Sequence, residues 1–157
     1  MSTLTGKDIL RADQFTVDEI ELIMQTAERF ESVMRADGRL VSMAGKVLAT
    51  LFYEPSTRTR LSFESAMMRL GGQVISVAEA KTSSSAAKGE TLYDTGKMIE
   101  AYADVAVIRH PAVGSAQELA EGSSIPVLNG GDGTGEHPTQ ALLDLYTIRK
   151  EKGTVGG

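Results

Sequence analysis

Apolar positions along the chain switch between two periods. Ile20, Ile23, Met24, Ala27, Phe30 and Met34 recur every three or four residues, which is the spacing of one helix face. Thr16-Val17-Asp18-Glu19 precedes them in the form of a capping box, so a long amphipathic helix starts there and ends near Gly38. Its stripe, methionines included, reads as core packing. Val47-Leu48-Ala49-Thr50-Leu51 is instead a continuous apolar run, the mark of a strand buried on both faces. Gln73-Val74-Ile75-Ser76-Val77 and Val105-Ala106-Val107-Ile108, rich in β-branched residues, predict a second and a third strand, and Pro126-Val127-Leu128 a brief fourth. Helical stretches fall between them, from residues 56–57 to Gly71-Gly72, over 92–103 and over 115–121. A last helix starts with His137-Pro138-Thr139-Gln140 and runs to about 152, with Leu142, Leu145 and Tyr146 on its apolar side. Strands alternating with helices across short connections predict an α/β fold: an open parallel sheet of about four strands with helices on both faces, three layers in all. Residues 1–14 add only a polar lead-in with a short apolar patch at Ile9 and Leu10.

Polar chemistry gathers where predicted strands end. After the first strand, Pro55 favours a turn, and Ser56 and Thr57 are good N-cap residues whose hydroxyls can occupy free backbone N–H groups of the next helix. Those N–H groups and the positive end of the helix dipole already favour an anion. Arg58 and Arg60 stand in the first turn, where helices prefer acids, so the placement points to a phosphate-sized anion; the competing reading pairs them with Glu54 and Glu64. Arg109-His110-Pro111 stands at the end of the third strand. Asn129-Gly130-Gly131-Asp132-Gly133-Thr134-Gly135 reads as a glycine-rich loop leading to His137-Pro138-Thr139-Gln140 at the last helix start. Three clusters that each follow a parallel strand converge on one sheet edge, where such folds bind ligands. Residues 78–90 are small and polar without periodicity, which suits either a surface connection or an active-site lid.

Composition narrows the chemistry. At 157 residues, 41% hydrophobic and 24% charged, the chain is an ordinary globular sequence able to build one core. No run reaches the roughly 18 to 20 apolar residues of a membrane span and no basic-then-apolar leader opens it, so a cytoplasmic location is expected. Absence of cysteine excludes disulfides and thiolate chemistry, and the two histidines are too few for a His-rich metal site. A net charge of −5 argues against nucleic acid as partner and makes any positive field local. A Gly-x-Ser-x-Gly elbow, a paired-carboxylate motif and a Rossmann or P-loop glycine fingerprint are all missing, which leaves covalent serine catalysis by Ser56 a poor reading.

The residues at 52–64, Phe-Tyr-Glu-Pro-Ser-Thr-Arg-Thr-Arg-Leu-Ser-Phe-Glu, with Lys-Gly-Glu-Thr at 88–91, Arg-His-Pro at 109–111 and Asn-Gly-Gly-Asp-Gly…His-Pro-Thr-Gln-Ala-Leu-Leu-Asp at 129–144, resemble the carbamoyl-phosphate domain of the aspartate carbamoyltransferase family. The ornithine carbamoyltransferases share the Ser-Thr-Arg-Thr-Arg and His-Pro-x-Gln turns, whereas Tyr-Glu-Pro before the first and Asn-x-Gly-Asp-Gly before the second resemble the aspartate enzymes. A non-catalytic phosphate-binding module is the reading from a different class.

The resemblance implies that Ser56, Thr57, Arg58 and Thr59 hold the phosphate, and that Thr59, Arg109 and His137 direct donors at the carbonyl oxygen. It also implies that Gln140 reads the carbamoyl NH₂, while Arg60 is at least as easily a structural ion pair. Ser84 and Lys88 match a loop that reaches into a neighbouring subunit's site, which implies a homotrimer with shared sites; Ala87 stands where some relatives carry a second lysine. Carbamoyl phosphate and aspartate are the implied substrates, with no metal or organic cofactor, and a regulatory chain or pathway enzyme is a possible partner. Because the family's catalytic chain is about twice as long, residues 1–152 are expected to form the carbamoyl-phosphate-binding domain and 153–157 the start of an interdomain connection. The aspartate-binding domain is expected to be missing.

Overall fold

A computed structural model of the chain describes residues 4–37, 40–78 and 89–154. A 3-10 turn at Ala12–Gln14 leads to helix α1, Val17–Asp37. Then come β1 (Val47–Phe52), α2 (Thr57–Arg69), β2 (Gln73–Ala78), α3 (Leu92–Ile99), β3 (Val105–His110), α4 (Ser115–Glu121), β4 (Val127–Asp132) and α5 (Pro138–Lys152). The capping box at the start of α1 is formed: Thr16 N donates to Glu19 Oε2 at 2.9 Å and Glu19 N donates to Thr16 Oγ1 at 3.2 Å. All strand pairs are parallel, in the order β2-β1-β3-β4, so the expected four-stranded α/β sheet is present.

Alternation along the strands divides two cores. Ala49, Leu51 and Tyr53 point to the face shared with Ala106, Ile108 and Val127, under Ile99 of α3 and Ala116 and Leu119 of α4. Leu48, Phe52 and Val107 point the other way, against Met67 of α2. Burying a side chain such as Leu119, which has no accessible surface, contributes about 1.5–3 kcal/mol. Helix α1 is tied to α5 by polar contacts at the rim, with Arg149 Nη1 2.6 Å from Glu21 Oε2 and Tyr146 OH donating to Glu31 Oε2 at 2.8 Å. A hydrogen bond from Lys150, then one from Tyr146, hold the Glu31 carboxyl down at about 2.

Two boundaries and one edge contact differ from the sequence expectation. Helix α3 stops at Ile99 and not near 103, since Ala101 N and Tyr102 N donate to Met98 O and Ile99 O, closing tight turns that redirect the chain into β3. The fourth strand continues through the glycines to Asp132, although 129–135 reads as loop in the sequence. Its backbone groups are paired, with β3 on one side and with the N-terminal lead-in on the other. That lead-in does more than its composition promised. Ile9 N donates to Val127 O at 2.8 Å, Asn129 N donates to Ile9 O at 2.8 Å, and Asp8 Oδ1 accepts from Val127 N at 2.8 Å, so residues 8–10 cover the edge of the sheet.

Helices α3 and α4 touch backbone to backbone. A Cβ on Gly96 would lie 2.5 Å from Leu119 O, and one on Gly122 would lie 2.1 Å from Tyr93 O. We therefore expect Gly96→Ala to destabilise the chain by about 1–3 kcal/mol, because the added methyl forces the helices apart over a close-packed core. A thermal melt checks this, and an unchanged midpoint would mean that the pair can slide without cost.

Candidate functional site

The chain leaves β1 on the β2 side and returns across it to form β3 on the other side. The order of winding therefore reverses between the carboxyl ends of β1 and β3, and in open α/β sheets ligands bind in the crevice formed there. A cleft of about 700 Å³ opens at that point, within the usual range of small-molecule sites. Pro55, Ser56, Thr57, Arg58 and Thr59 line it from the first turn, Arg109 from β3, and His137, Thr139 and Gln140 from the start of α5. Phe63, Ala66 and Leu143 supply an apolar wall. The three clusters expected to converge do so. Ser84 and Lys88 lie outside the described residues.

Ser56 is the N-cap of α2, with extended backbone at φ −156° and ψ 95°, but its hydroxyl makes no capping hydrogen bond. The expectation that it would satisfy the helix's own N–H groups is corrected. Pro55 and the strand exit direct the turn so that Ser56 lines the cleft instead. No acidic residue stands in the first turn to meet the dipole. The two arginines of the turn part company, because neighbouring positions on a helix face different ways. Arg58 is exposed on the cleft and has no carboxylate partner among the described residues. Arg60 lies 3.7 Å from Glu64 Oε1, and that same oxygen accepts from Thr50 Oγ1 at 3.0 Å and Ser76 Oγ at 2.7 Å. The carboxylate-pairing reading thus applies to Arg60 and not to Arg58.

Period-two alternation sends Arg109 and His110 to opposite faces. Arg109 enters the cleft, whereas His110 packs edge-on against Tyr53 with ring centroids 4.8 Å apart. The Arg109 guanidinium is held at two points: Nη1 donates to Gly130 O at 3.0 Å, and Nε lies 2.7 Å from Glu54 Oε1 without the alignment of a hydrogen bond. Glu54, read from sequence as a partner for the turn arginines, instead braces Arg109. Gly131 makes room for this arrangement. Its φ is +118°, and a Cβ there would come 2.6 Å from Arg109 Nη1. Sequence reasoning assigned the glycines to ligand approach; in the structure the close neighbour of Gly131 is the arginine, while Gly133 lies against Pro111 O and Gly135 against Asp132.

His137 caps α5 at the N-terminus ahead of Pro138, the favoured residue for a first helical position. Burial first, and then the Arg109 charge, push its pKa below the ordinary 6.5, with Asp144 pulling weakly the other way. At neutral pH the ring is therefore uncharged and can offer one N–H as a donor. Thr139 Oγ1 is 3.4 Å from its Nδ1. At the rim, Gln140 Nε2 donates to Asp144 Oδ1 at 2.9 Å. The cleft thus offers a helix start, hydroxyls and a cation at one end, and a fixed guanidinium and a neutral imidazole at the other. Such a set suits a phosphate ester or anhydride with a polarised carbonyl.

By its fold and cleft, the chain is an open α/β domain with a polar, arginine-bearing cleft at the switch point of its sheet. It belongs to the aspartate/ornithine carbamoyltransferase family, whose carbamoyl-phosphate-binding domain matches residues 7–150. The aspartate carbamoyltransferase catalytic subunit of Thermococcus kodakarensis is 54% identical over 152 residues, covering 97% of this chain and 49% of that protein. The corresponding subunit of Methanopyrus kandleri is 52% identical over 157 residues, covering 100% of this chain and 50% of that protein. The crystal structure of aspartate transcarbamoylase from Trypanosoma cruzi in complex with carbamoyl aspartate and phosphate matches with a TM-score of 0.93 at 41% identity, over 100% of this chain and 48% of that one. The chain spans about half the length of the relatives it matches.

For His137 we expect an NMR titration midpoint below 6.5, moving up only part of the way in Arg109→Met, because burial is the larger cause. The fold favours the neutral ring, so the stability linked to it is fully present above pH 6.5 and is lost as pH falls from there through the lower pKa of the folded state. A midpoint at or above 6.5 in the unmodified chain would show that the ring is solvated.

Proposed function

We propose that these residues form the carbamoyl-phosphate-binding half of an aspartate carbamoyltransferase. In this reading the amine of aspartate attacks the carbonyl carbon of carbamoyl phosphate, the bond to the phosphate oxygen breaks, and N-carbamoyl-L-aspartate and phosphate form. The observation that supports it best is the meeting of Ser56–Thr59, Arg109 and His137 around one cleft at the switch point.

Residues 1–152 are the carbamoyl-phosphate-binding domain in this proposal. Ser56, Thr57, Arg58 and Thr59, with the N-terminus of α2, bind the phosphate and stabilise the charge that grows as it leaves. Thr59, Arg109 and His137 donate to the carbonyl oxygen, whose negative charge rises in the tetrahedral intermediate; losing one such donor typically costs about 10²–10³ in rate. A neutral His137 suits that role, since it donates without repelling Arg109. Gln140 accepts from the carbamoyl NH₂. Ser84 and Lys88 come from the neighbouring subunit of a homotrimer and add a cation to the phosphate. Contacts to aspartate come mostly from the part of the family's chain that has no counterpart in these 157 residues, and the reaction takes place in the cytoplasm.

Arg58→Ala should weaken carbamoyl-phosphate and phosphate binding by about 10- to 100-fold, the usual worth of a charge-assisted contact, without changing the fold. Isothermal calorimetry with a circular-dichroism control measures both, and undiminished affinity in a folded variant would remove the phosphate-site assignment.

Shared sites have their own signature. In chains of the relatives' full length, Lys88→Ala and His137→Ala should each be nearly inactive alone, and mixed trimers should regain activity where an intact loop meets an intact cleft. Hybrids that demonstrably form but remain inactive would place the loop within its own subunit's site.

A further inference from the structure

Asp132 ends β4 with 4% of its surface exposed, and each of its carboxylate oxygens is engaged by a different loop. Oδ2 accepts from Gly114 N at 2.8 Å, at the opening of α4 in the connection that follows β3. Oδ1 accepts from the N–H of Glu136, the residue before His137, at 2.5 Å. The β4–α5 loop is wound tightly about this group. Gly135 N donates to Asp132 O at 3.0 Å, Asp132 N donates to Glu136 O at 3.2 Å, and a Cβ on Gly135 would come 2.6 Å from Oδ1. Glu136 is also held from outside, where its Oε2 accepts from Ala12 N at 3.0 Å.

One carboxylate therefore ties the connection that follows the Arg109 strand to the loop that delivers His137 to the cleft, and neither of these hydrogen bonds reaches the 56–59 turn. Resting on the functional reading above, we propose that Asp132 is a positioning residue: it sets the spacing of Arg109 and His137, and so the ability of the cleft to favour carbamoyl phosphate over inorganic phosphate. The phosphate end of the site stands on β1 and α2 and is independent of it. A carboxylate is the suitable group, because it can accept two opposed N–H donors at once. An asparagine offers one oxygen and turns its NH₂ against the other donor, leaving a buried N–H unpaired, and alanine leaves both unpaired.

The test is calorimetry of the 157-residue chain with inorganic phosphate and with carbamoyl phosphate, for the unmodified protein, Asp132→Asn and Asp132→Ala. Phosphate affinity in Asp132→Asn should stay within about twofold, since the carboxylate bonds to Gly114 and Glu136 and not to the 56–59 turn. The advantage of carbamoyl phosphate over phosphate should fall by about three- to tenfold, and further in Asp132→Ala, as expected for a donor moved out of hydrogen-bond reach. Damage to the structure in general would weaken both ligands alike. An unchanged ratio in folded Asp132→Asn, or a parallel loss of both affinities, overturns the proposal. Should neither variant fold, the unmodified chain still decides: the Gly114 and Glu136 amide resonances should shift with carbamoyl phosphate and not with phosphate, and silence at both positions overturns the proposal. If the unmodified chain binds neither ligand, the functional reading itself fails and this inference goes with it.

Discussion

Burial of β1 on both faces is the constraint on which the rest of the molecule depends. Leu48, Ala49, Leu51 and Phe52 are all nearly inaccessible, so the strand needs a helix layer above and below it and a parallel neighbour on each side. Helix α2 carries the chain away on one face to β2, and α4 carries it from β3 to β4 on the other. Because the two crossovers depart on opposite faces, neither of their helices covers the gap between the carboxyl ends of β1 and β3. The cleft is a consequence of how the sheet is wound.

Positive charge in the cleft is a matter of partners more than of number. The chain as a whole carries −5, so three arginines near one edge would be neutralised wherever a carboxylate could reach them. Arg60 meets Glu64 within α2, and the Thr50 and Ser76 hydroxyls donate to the same carboxylate, fixing the first turns of the helix to both strands beneath. Arg109 meets Glu54 but keeps its Nη1 on the Gly130 carbonyl, which aims the group while leaving it charged. Arg58 alone faces the cleft without a carboxylate among the described residues. Helix dipole and guanidinium then act together on one small volume.

His137 shows the same logic in reverse. Its place at the start of α5, beside Arg109 and half-buried, disfavours a further cation next to that arginine. A site that concentrates one fixed positive charge next to a neutral donor can respond to charge developing on a bound carbonyl oxygen without first repelling part of itself.

The sequence by itself determined the order and direction of the elements, the positions of the three polar clusters, and a motif set long enough to indicate the family. These are local properties: the helical spacing of Ile20 to Met34, the unbroken run at Val47 to Leu51, and the Thr16–Glu19 capping box are each complete within a few residues. Their chain order also placed the clusters at strand ends, and parallel connection rules put those ends on one edge. What the tertiary structure alone decided were the partners. Whether Glu54 would brace Arg58 or Arg109, and whether Arg60 would face ligand or Glu64, depended on side-chain direction in three dimensions. The extension of β4 through Asn129-Gly130-Gly131-Asp132 went against the usual meaning of glycine, because the backbone groups there had partners that no local window contains. Asp8 reaches Val127 across 119 residues, and Asp132 joins two loops through backbone N–H groups that carry no sequence signature at all. Hydrogen bonds to the main chain are invisible to residue identity, so this part of the site became legible only once the chain had folded.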